Sequence, residues 1–190
     1  MEKNVRKLIV FNTVSLDGYF TDANGDARWA HQDDPEWQAF EVENVRGGGS
    51  LLFGRITYEL MAGFWPTQDA QERMPVVAEW MNSSPKFVFS RTLSTVAWNN
   101  TTLVKGDLAA ETRKLKNEPG PEITILGSGS IVAQLAQAGL IDEYHIVVCP
   151  IILGRGKSLF EGVKDKLLLE RTAMRTFDNG NVLLSYEPAA

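Results

Sequence analysis

A glycine-rich turn stands between an apolar, strand-like run and a helix-like segment at residues 127–130 (GSGS). Glycines at such a turn let the backbone approach a ligand, and the N-terminus of the following helix offers unpaired N–H groups and the positive end of a dipole to a phosphate. The composition therefore indicates an anion-binding turn. A glycine turn that only caps the helix explains this one turn equally well.

A second turn of the same kind begins at Gly54, which follows the apolar run 50–53 and precedes Arg55 and Thr57 in a helix-like segment. A cation at a helix start opposes the helix dipole, so Arg55 is unusual there. The placement is favourable if a bound phosphate lies between the guanidinium and the helix N-terminus. Taken alone, Arg55 is also compatible with an ordinary solvated charge.

A third turn places two hydroxyls and a guanidinium after the apolar run 86–89, at Ser90, Arg91 and Thr92. Ligands of open α/β sheets bind at the carboxyl ends of the strands, where all three turns are expected to lie. The three turns together predict a site for a phosphate-bearing ligand more strongly than any one of them does.

Composition excludes several other classes of protein. The 190 residues are 44% hydrophobic and 23% charged with a net charge of −5, typical of one folded domain over residues 1–190 without a basic surface for nucleic acid. The apolar stretch before Asp17 is too short for a membrane span. A single cysteine, Cys149, cannot form an intrachain disulfide, so we expect a reducing cytoplasm. His31 and His145 are isolated in the sequence, and no metal site is predicted.

The pattern of apolar residues predicts alternating strands and helices that lead into a C-terminal antiparallel hairpin, hence an α/β fold with a mixed, mostly parallel sheet. The segment between the first strand and the first helix, residues 18–34, is expected to be a long loop that acts as a lid. Strands are predicted at 7–14, 50–53, 86–89, 123–126, 144–153, 167–177 and 182–187, with an irregular extended piece at 96–104, and helices at 35–46, 55–63, 69–82 (bent at Pro75), 107–117 and 131–138.

Five segments in order carry a resemblance to a known family: SLDGYF (15–20), GRITYE (54–59), KFVFSRTL (86–93), ILGSGS (125–130) and DEYHIVVCPIILGRGKSLF (142–160). The chain resembles the C-terminal reductase domain of the bifunctional riboflavin-biosynthesis deaminase/reductase. That family is similar in fold to dihydrofolate reductase. The resemblance implies a three-layer fold with a central sheet of about eight strands, helices on both faces, a homodimer, and NADPH bound across the strand ends.

In the family, the first two arginine-bearing turns lie at the adenosine 2′-phosphate and the glycine pair lies at the pyrophosphate. Two arginines suited to a 2′-phosphate favour NADPH over NADH. Carried over residue by residue, the implied cofactor-binding set is Gly54, Arg55, Thr57, Ser90, Arg91, Thr92, Gly127, Ser128, Gly129 and Ser130.

The resemblance is weaker on the substrate side. Dihydrofolate reductase carries a carboxylate on its first helix, and the equivalent interval before Gly54 ends near Gln38, with Glu36 and Glu41 as its acidic neighbours. Where the riboflavin-pathway reductase carries a lysine and a glutamate, this chain has Phe11 and Leu126.

Two residues are retained as catalytic candidates, Glu41 and Asp17. Asp17 ends the first strand, where it either relays a proton or simply forms the turn before Gly18. The expected function is hydride transfer from NADPH to a small heterocyclic or carbonyl-type substrate, as in 5-amino-6-(5-phosphoribosylamino)uracil reductase. The alternatives are a dihydrofolate reductase-type activity and a nucleotide-binding module without turnover.

Overall fold

The computed structural model describes residues 5–31 and 34–189 and contains an eight-stranded sheet with helices on both faces. A separate two-stranded sheet lies beside it. The strands are β1 (Leu8–Ser15), β2 (Tyr19–Asp22), β3 (Ser50–Gly54), β4 (Lys86–Phe89), β5 (Thr101–Val104), β6 (Ile123–Leu126), β7 (Glu143–Cys149), β8 (Gly156–Ser158), β9 (Leu169–Thr176) and β10 (Val182–Pro188). The helices are α1 (Pro35–Val45), α2 (Arg55–Phe64), α3 (Gln68–Arg73), α4 (Pro75–Ser83), α5 (Leu108–Asn117) and α6 (Gly129–Gln137), with a 3-10 turn at Arg28–Ala30.

The large sheet has the strand order β5-β4-β3-β6-β1-β7-β10-β9. β1 lies at its centre and pairs in parallel with β6 and β7. Only β10 among the strands of this sheet runs antiparallel, to β7 on one side and to β9 on the other. The predicted α/β class, the mostly parallel sheet of about eight strands and the C-terminal hairpin are therefore confirmed.

Alternate residues of each central strand enter different hydrophobic cores, because successive side chains point to opposite faces of a sheet. In β3, Leu52 packs with Val132 of α6, whereas Leu51 packs with Met81 of α4. Helices α5 and α6 cover one face, and α1, α2 and α4 cover the other. The longest helix, α1, has 11 residues, and within the described ranges no helix is long and apolar enough to cross a membrane.

Three segments differ from the sequence-based prediction. The single bent helix expected at 69–82 is two helices, because the chain turns at Met74 before Pro75 opens α4. The strand expected at 144–153 ends at Cys149, before a proline that lacks a backbone donor. The loop expected at 18–34 contains β2, which pairs with β8, and the 3-10 turn. Residues 32 and 33 of that loop lie outside the described residues.

Candidate functional site

A cavity of about 1070 Å³ opens along the carboxyl ends of the parallel strands. Its wall includes the turn after β3, the turn after β6 and the β2–β8 pair, and it continues between α1, α2 and α4. Seven of the ten predicted cofactor-binding residues lie on this wall: Gly54, Arg55, Thr57, Gly127, Ser128, Gly129 and Ser130.

The two glycine turns on the wall are hydrogen-bonded to each other. The backbone N–H of Ser128 donates to Thr57 Oγ1 over 3.1 Å, and the Ser128 hydroxyl lies 3.0 Å from the same oxygen. The backbone N–H of Gly54 donates to Ser128 Oγ over 2.8 Å. The side chains of Thr57 and Ser128 are therefore engaged in holding the turns at a fixed separation.

The side chain of Asn12 in β1 is hydrogen-bonded to the turn after β6. Its amide oxygen accepts from the Gly127 backbone N–H over 2.8 Å, and its amide nitrogen donates to the Gly127 carbonyl over 3.2 Å. The next residue, Ser128, has a φ of +59°, a left-handed conformation that is uncommon for serine. The surrounding hydrogen bonds maintain this conformation, so the turn is built as a rigid unit.

The N-terminus of α6 offers free donors to this cavity. Within the described ranges, the backbone N–H groups of Gly129 and Ser130 have no backbone or side-chain acceptor, as expected for the first turn of a helix. A Cβ added at Gly129 would lie 2.8 Å from the Phe20 ring and 3.2 Å from the Ser158 carbonyl oxygen. The β2–β8 pair therefore lies directly on the glycine, which leaves no room for a side chain.

The arginines are arranged along the same sheet edge. Arg55 lies on the cavity wall, where its guanidinium pairs with Glu59 over 2.9 Å. Ser90, Arg91 and Thr92 are not on the wall, but they follow Phe89, the partner of Gly54 in the β3–β4 register. Ser90 Oγ accepts from the backbone N–H groups of Thr92 and Leu93, two and three residues further along the chain. The exposed Arg91 therefore lies at the end of β4, next to the end of β3 from which Arg55 follows.

The part of the cavity between the helices, which we call the helical chamber, is mainly apolar. Its wall includes Glu41 of α1, Leu60 and Met61 of α2, and Val77, Trp80 and Met81 of α4. Trp37 Nε1 donates to Glu41 Oε1 over 3.1 Å. Burial raises the pKa of the Glu41 carboxyl above 4.5, because the charged form is poorly solvated there. Glu41 is thus the predicted catalytic residue that the structure places at the cavity.

His145 on β7 also lies on the cavity wall, although its isolation in the sequence gave no functional signal. Its Nε2 is 2.9 Å from Glu143 Oε2, and Glu143 is ion-paired with Lys7. These partners lie two and 138 positions away, so only the i, i+2 spacing of Glu143 and His145 on one strand face was visible in the sequence.

Asp17 lies outside the cavity wall. Its carboxylate accepts from the Ser15 hydroxyl over 2.7 Å and from the backbone N–H groups of Leu153 and Gly154 over 3.1 and 2.7 Å. The Ser15 hydroxyl, followed by these backbone donors, lowers the pKa of Asp17. The residue therefore ties the end of β1 to the segment that leads into β8.

Comparisons with known proteins agree with this architecture. The uncharacterized protein YyaP of Bacillus subtilis (strain 168) is 30% identical over 181 residues, which cover 95% of this chain and 94% of YyaP. A solved structure from Shewanella sp. PV-4, assigned to riboflavin biosynthesis, is 26% identical with a TM-score of 0.75 and covers 97% of this chain and 99% of its own.

Two more distant structures share the fold. The deaminase/5-amino-6-(5-phosphoribosylamino)uracil reductase of Thermotoga maritima is 15% identical with a TM-score of 0.70, covering 98% of this chain and 58% of its own. Dihydrofolate reductase of Enterococcus faecalis, complexed with NADP(H), is 13% identical with a TM-score of 0.65 and covers 97% of each chain. The dihydrofolate reductase-like fold is therefore confirmed.

A family model for the RibD C-terminal domain matches residues 6–183, nearly the whole chain. The segments that carried the resemblance all lie inside this match. The protein belongs to the RibD C-terminal domain family.

Proposed function

We propose that the protein is an NADPH-dependent reductase that transfers hydride to a small heterocyclic or carbonyl-type substrate. One observation carries this proposal: a single cavity runs from two interlocked glycine turns to the half-buried carboxyl of Glu41. A phosphate-binding end joined to a chamber with a protonatable group is what a reductase with a dinucleotide cofactor requires.

The turns fit the phosphates of the cofactor. The free N–H groups of Gly129 and Ser130 would bind the pyrophosphate at the positive end of the α6 dipole. Arg55 and the turn Ser90–Thr92 would hold the 2′-phosphate, with Arg55 exchanging Glu59 for the phosphate. Thr57, Gly54, Gly127 and Ser128 would act mainly by holding these donors in place.

Residues near the substrate would donate the proton, exclude water and hold the β2–β8 pair in place. When bound, NADPH supplies the hydride. Glu41, whose pKa is raised by burial, would donate the proton that the reduced substrate needs. The β2–β8 pair, seated on Gly129, would exclude water from the reacting atoms. Asp17 would keep this pair in position through its contacts with Leu153 and Gly154.

One observation favours a second candidate, a nucleotide-binding module without turnover. Phe11 and Leu126 both lie on the cavity wall, at the positions where the resemblance to the riboflavin-pathway reductase would place polar side chains. A binding module would take up NADPH and never oxidise it, whereas a reductase would oxidise it in the presence of a suitable substrate.

A pair of arginine variants tests the cofactor assignment. Arg55→Ala combined with Arg91→Ala is expected to weaken NADPH binding by about a hundredfold, since each charged hydrogen bond contributes about 1.5 kcal/mol or more. NADH binding should change little, because NADH lacks the 2′-phosphate. The matched control is Arg113→Ala on the opposite face, which is exposed on α5. Equal losses for NADPH and NADH would contradict the assignment.

We further propose that the protein is a cytoplasmic homodimer joined through β9. This edge strand is exposed along almost its whole length, and Met174 within it is 57% exposed. The outer side of an edge strand presents unpaired backbone groups, which makes it a site for pairing with another strand. Sedimentation of the wild type as a dimer and of Met174→Asp as a monomer would support the proposal, and a monomeric wild type would refute it.

A further inference from the structure

The lysine and arginine side chains of the cavity are confined to one end. Among the described residues, the lysines and arginines on its wall are Arg55 and Lys157. Arg55 begins α2 at the first glycine turn. Lys157 lies in β8, with Nζ 3.7 Å from the position of a Cβ added at Gly25 in the loop after β2. Both therefore belong to the end that faces the phosphate-binding turns and the lid.

The wall of the helical chamber, in contrast, is mainly apolar. Leu60, Met61, Val77 and Met81 supply aliphatic and thioether surface. Glu41 is its acidic group and has no basic partner in the described chain, only the Trp37 indole N–H. Among the described residues, the chamber therefore presents a mainly apolar wall with the carboxyl of Glu41 and no lysine or arginine.

An anionic substrate group would be poorly accommodated in such a chamber. A phosphate or carboxylate that leaves water needs cationic or multiple N–H partners to offset its lost solvation. Here it would instead meet alkyl surface and the carboxyl of Glu41, which repels it whenever the carboxyl is ionised. An uncharged ring loses little solvation on entry and gains contacts with the apolar wall.

We propose that the chamber selects an uncharged aromatic heterocycle that carries neither a phosphate nor a carboxylate. This inference rests on the proposed function, because it concerns the substrate of the same reductase site. It separates the protein from a reductase of phosphoribosyl compounds, since the distribution of charges leaves the substrate phosphate without a partner.

Matched ligand pairs test the inference on the intact protein saturated with NADP⁺. One pair is 7,8-dihydropterin and 7,8-dihydrofolate, which adds a glutamyl tail. The other is 5-amino-6-ribosylaminouracil with and without its 5′-phosphate. Quenching of the tryptophans, of which Trp37, Trp65 and Trp80 lie on the cavity wall, gives the dissociation constants. The uncharged member of at least one pair should bind about tenfold more tightly or better than its anionic partner. Equal or tighter binding of the anionic members, or no binding of either uncharged ring, would overturn the proposal.

A positive charge placed on the chamber wall should weaken or abolish the preference for the uncharged partner. Leu60 lies on the wall and is 56% exposed, so Leu60→Arg can place a guanidinium there without burying it. The matched control is Val76→Arg, which adds the same charge on α4 at an exposed position off the wall. We expect Leu60→Arg to shift the binding ratio toward the anionic partner by about tenfold and Val76→Arg to leave it unchanged. An unchanged ratio in Leu60→Arg would overturn the inference.

Binding of NADPH to the wild type, measured without substrate, distinguishes this inference from the proposed function. If NADPH does not bind, the proposed function is wrong and the inference falls with it. If NADPH binds and is oxidised more readily with the phosphate-bearing or glutamyl-bearing partner, the protein is a reductase and only the inference about charge is wrong.

Discussion

The hydroxyl of Ser128 lies 3.0 Å from Oγ1 of Thr57, and this contact joins the two glycine turns that line the cavity. The two residues are 71 positions apart and belong to different strand-to-helix units. Because Ser128 also accepts from the Gly54 backbone N–H, the spacing between the N-termini of α2 and α6 depends on two side chains that would themselves need no contact with a ligand.

Replacement of Thr57 by valine should test this coupling. Thr57→Val keeps the shape of the side chain but removes the acceptor of the Ser128 N–H, which is buried. We expect a loss of about 1 to 3 kcal/mol in the free energy of unfolding. We also expect about a tenfold weaker affinity for NADPH, because the two sets of donors are no longer held together. Urea denaturation and a cofactor titration measure the two effects, with Thr102→Val on the exposed side of β5 as the control. Unchanged NADPH affinity in Thr57→Val would show that the coupling does not matter for binding.

Replacement of Gly129 by alanine should displace the β2–β8 pair. The added methyl group would lie 2.8 Å from the Phe20 ring and 3.2 Å from the Ser158 carbonyl, so the β2–β8 pair must move. Overpacking of this kind costs about 1 to 3 kcal/mol, and NADPH binding should weaken with it. Gly63→Ala in α2 is the matched control, because nothing lies within 4 Å of its added Cβ. That control should stabilise the protein by up to about 1 kcal/mol. A Gly129→Ala variant as stable as Gly63→Ala would contradict the described packing.

The rate of NADPH oxidation should depend on pH through Glu41. Its folded pKa is raised above 4.5 by burial, so the folded state holds the proton more tightly than the unfolded chain. The contribution of Glu41 to stability is fully present below pH 4.5 and is lost as the pH rises through the folded pKa. The supply of protonated donor falls over the same interval. We expect the rate at saturating NADPH to fall as the pH rises through the raised pKa of Glu41.

Glu41→Gln should be slow and should lose this pH dependence, whereas Glu79→Gln, an exposed acid on α4, should keep the wild-type profile. Steady-state rates across the pH range measure both variants. A wild-type profile in Glu41→Gln would exclude Glu41 as the proton donor.

Two substitutions at Asp17 separate a positioning role from proton donation. Its carboxylate accepts from the Leu153 and Gly154 backbone N–H groups, and these contacts lower its pKa after the larger effect of Ser15. Its contribution to stability is therefore present above its usual pKa of 3.8 and is lost as the pH falls through the lowered value. Asp17→Asn retains an acceptor oxygen and should keep most of the oxidation rate, with an unchanged pH profile. Asp17→Ala should weaken NADPH binding through a displaced β8. Loss of turnover in both variants at unchanged NADPH affinity would instead assign Asp17 to proton transfer.

The sequence predicted β1, β3, β4 and β6 well because each is a short apolar run that ends at glycine or polar turn residues, as β3 does at Gly54. It did not reveal β2 and β8, which have four and three residues. Their pairing depends on partners more than 130 positions apart and not on local composition. The division of α3 from α4 was signalled by Pro75, but whether a proline bends or ends a helix depends on packing that the sequence does not show.

The sequence predicted only those parts of the site that depend on local signals, and it missed those that depend on contacts between distant residues. Glycine turns and arginines next to strands are local signals, so the wall residues of the cofactor end could be named in advance. The contact between Thr57 and Ser128 and the clamp of Asn12 on Gly127 join residues from separate units. Glu41 and Asp17 could not be distinguished from the sequence, because only the fold places one at the cavity and the other at a turn.

The measurement that tests the central claim most directly is a titration of the purified protein with NADPH and with NADH, followed by energy transfer from its five tryptophans to the bound nicotinamide. Three of them, Trp37, Trp65 and Trp80, lie on the cavity wall, so binding there should quench their emission. We predict saturable binding of NADPH at least about tenfold tighter than that of NADH, since only NADPH carries the 2′-phosphate. Failure of both cofactors to bind, or tighter binding of NADH, would contradict an NADPH-dependent reductase.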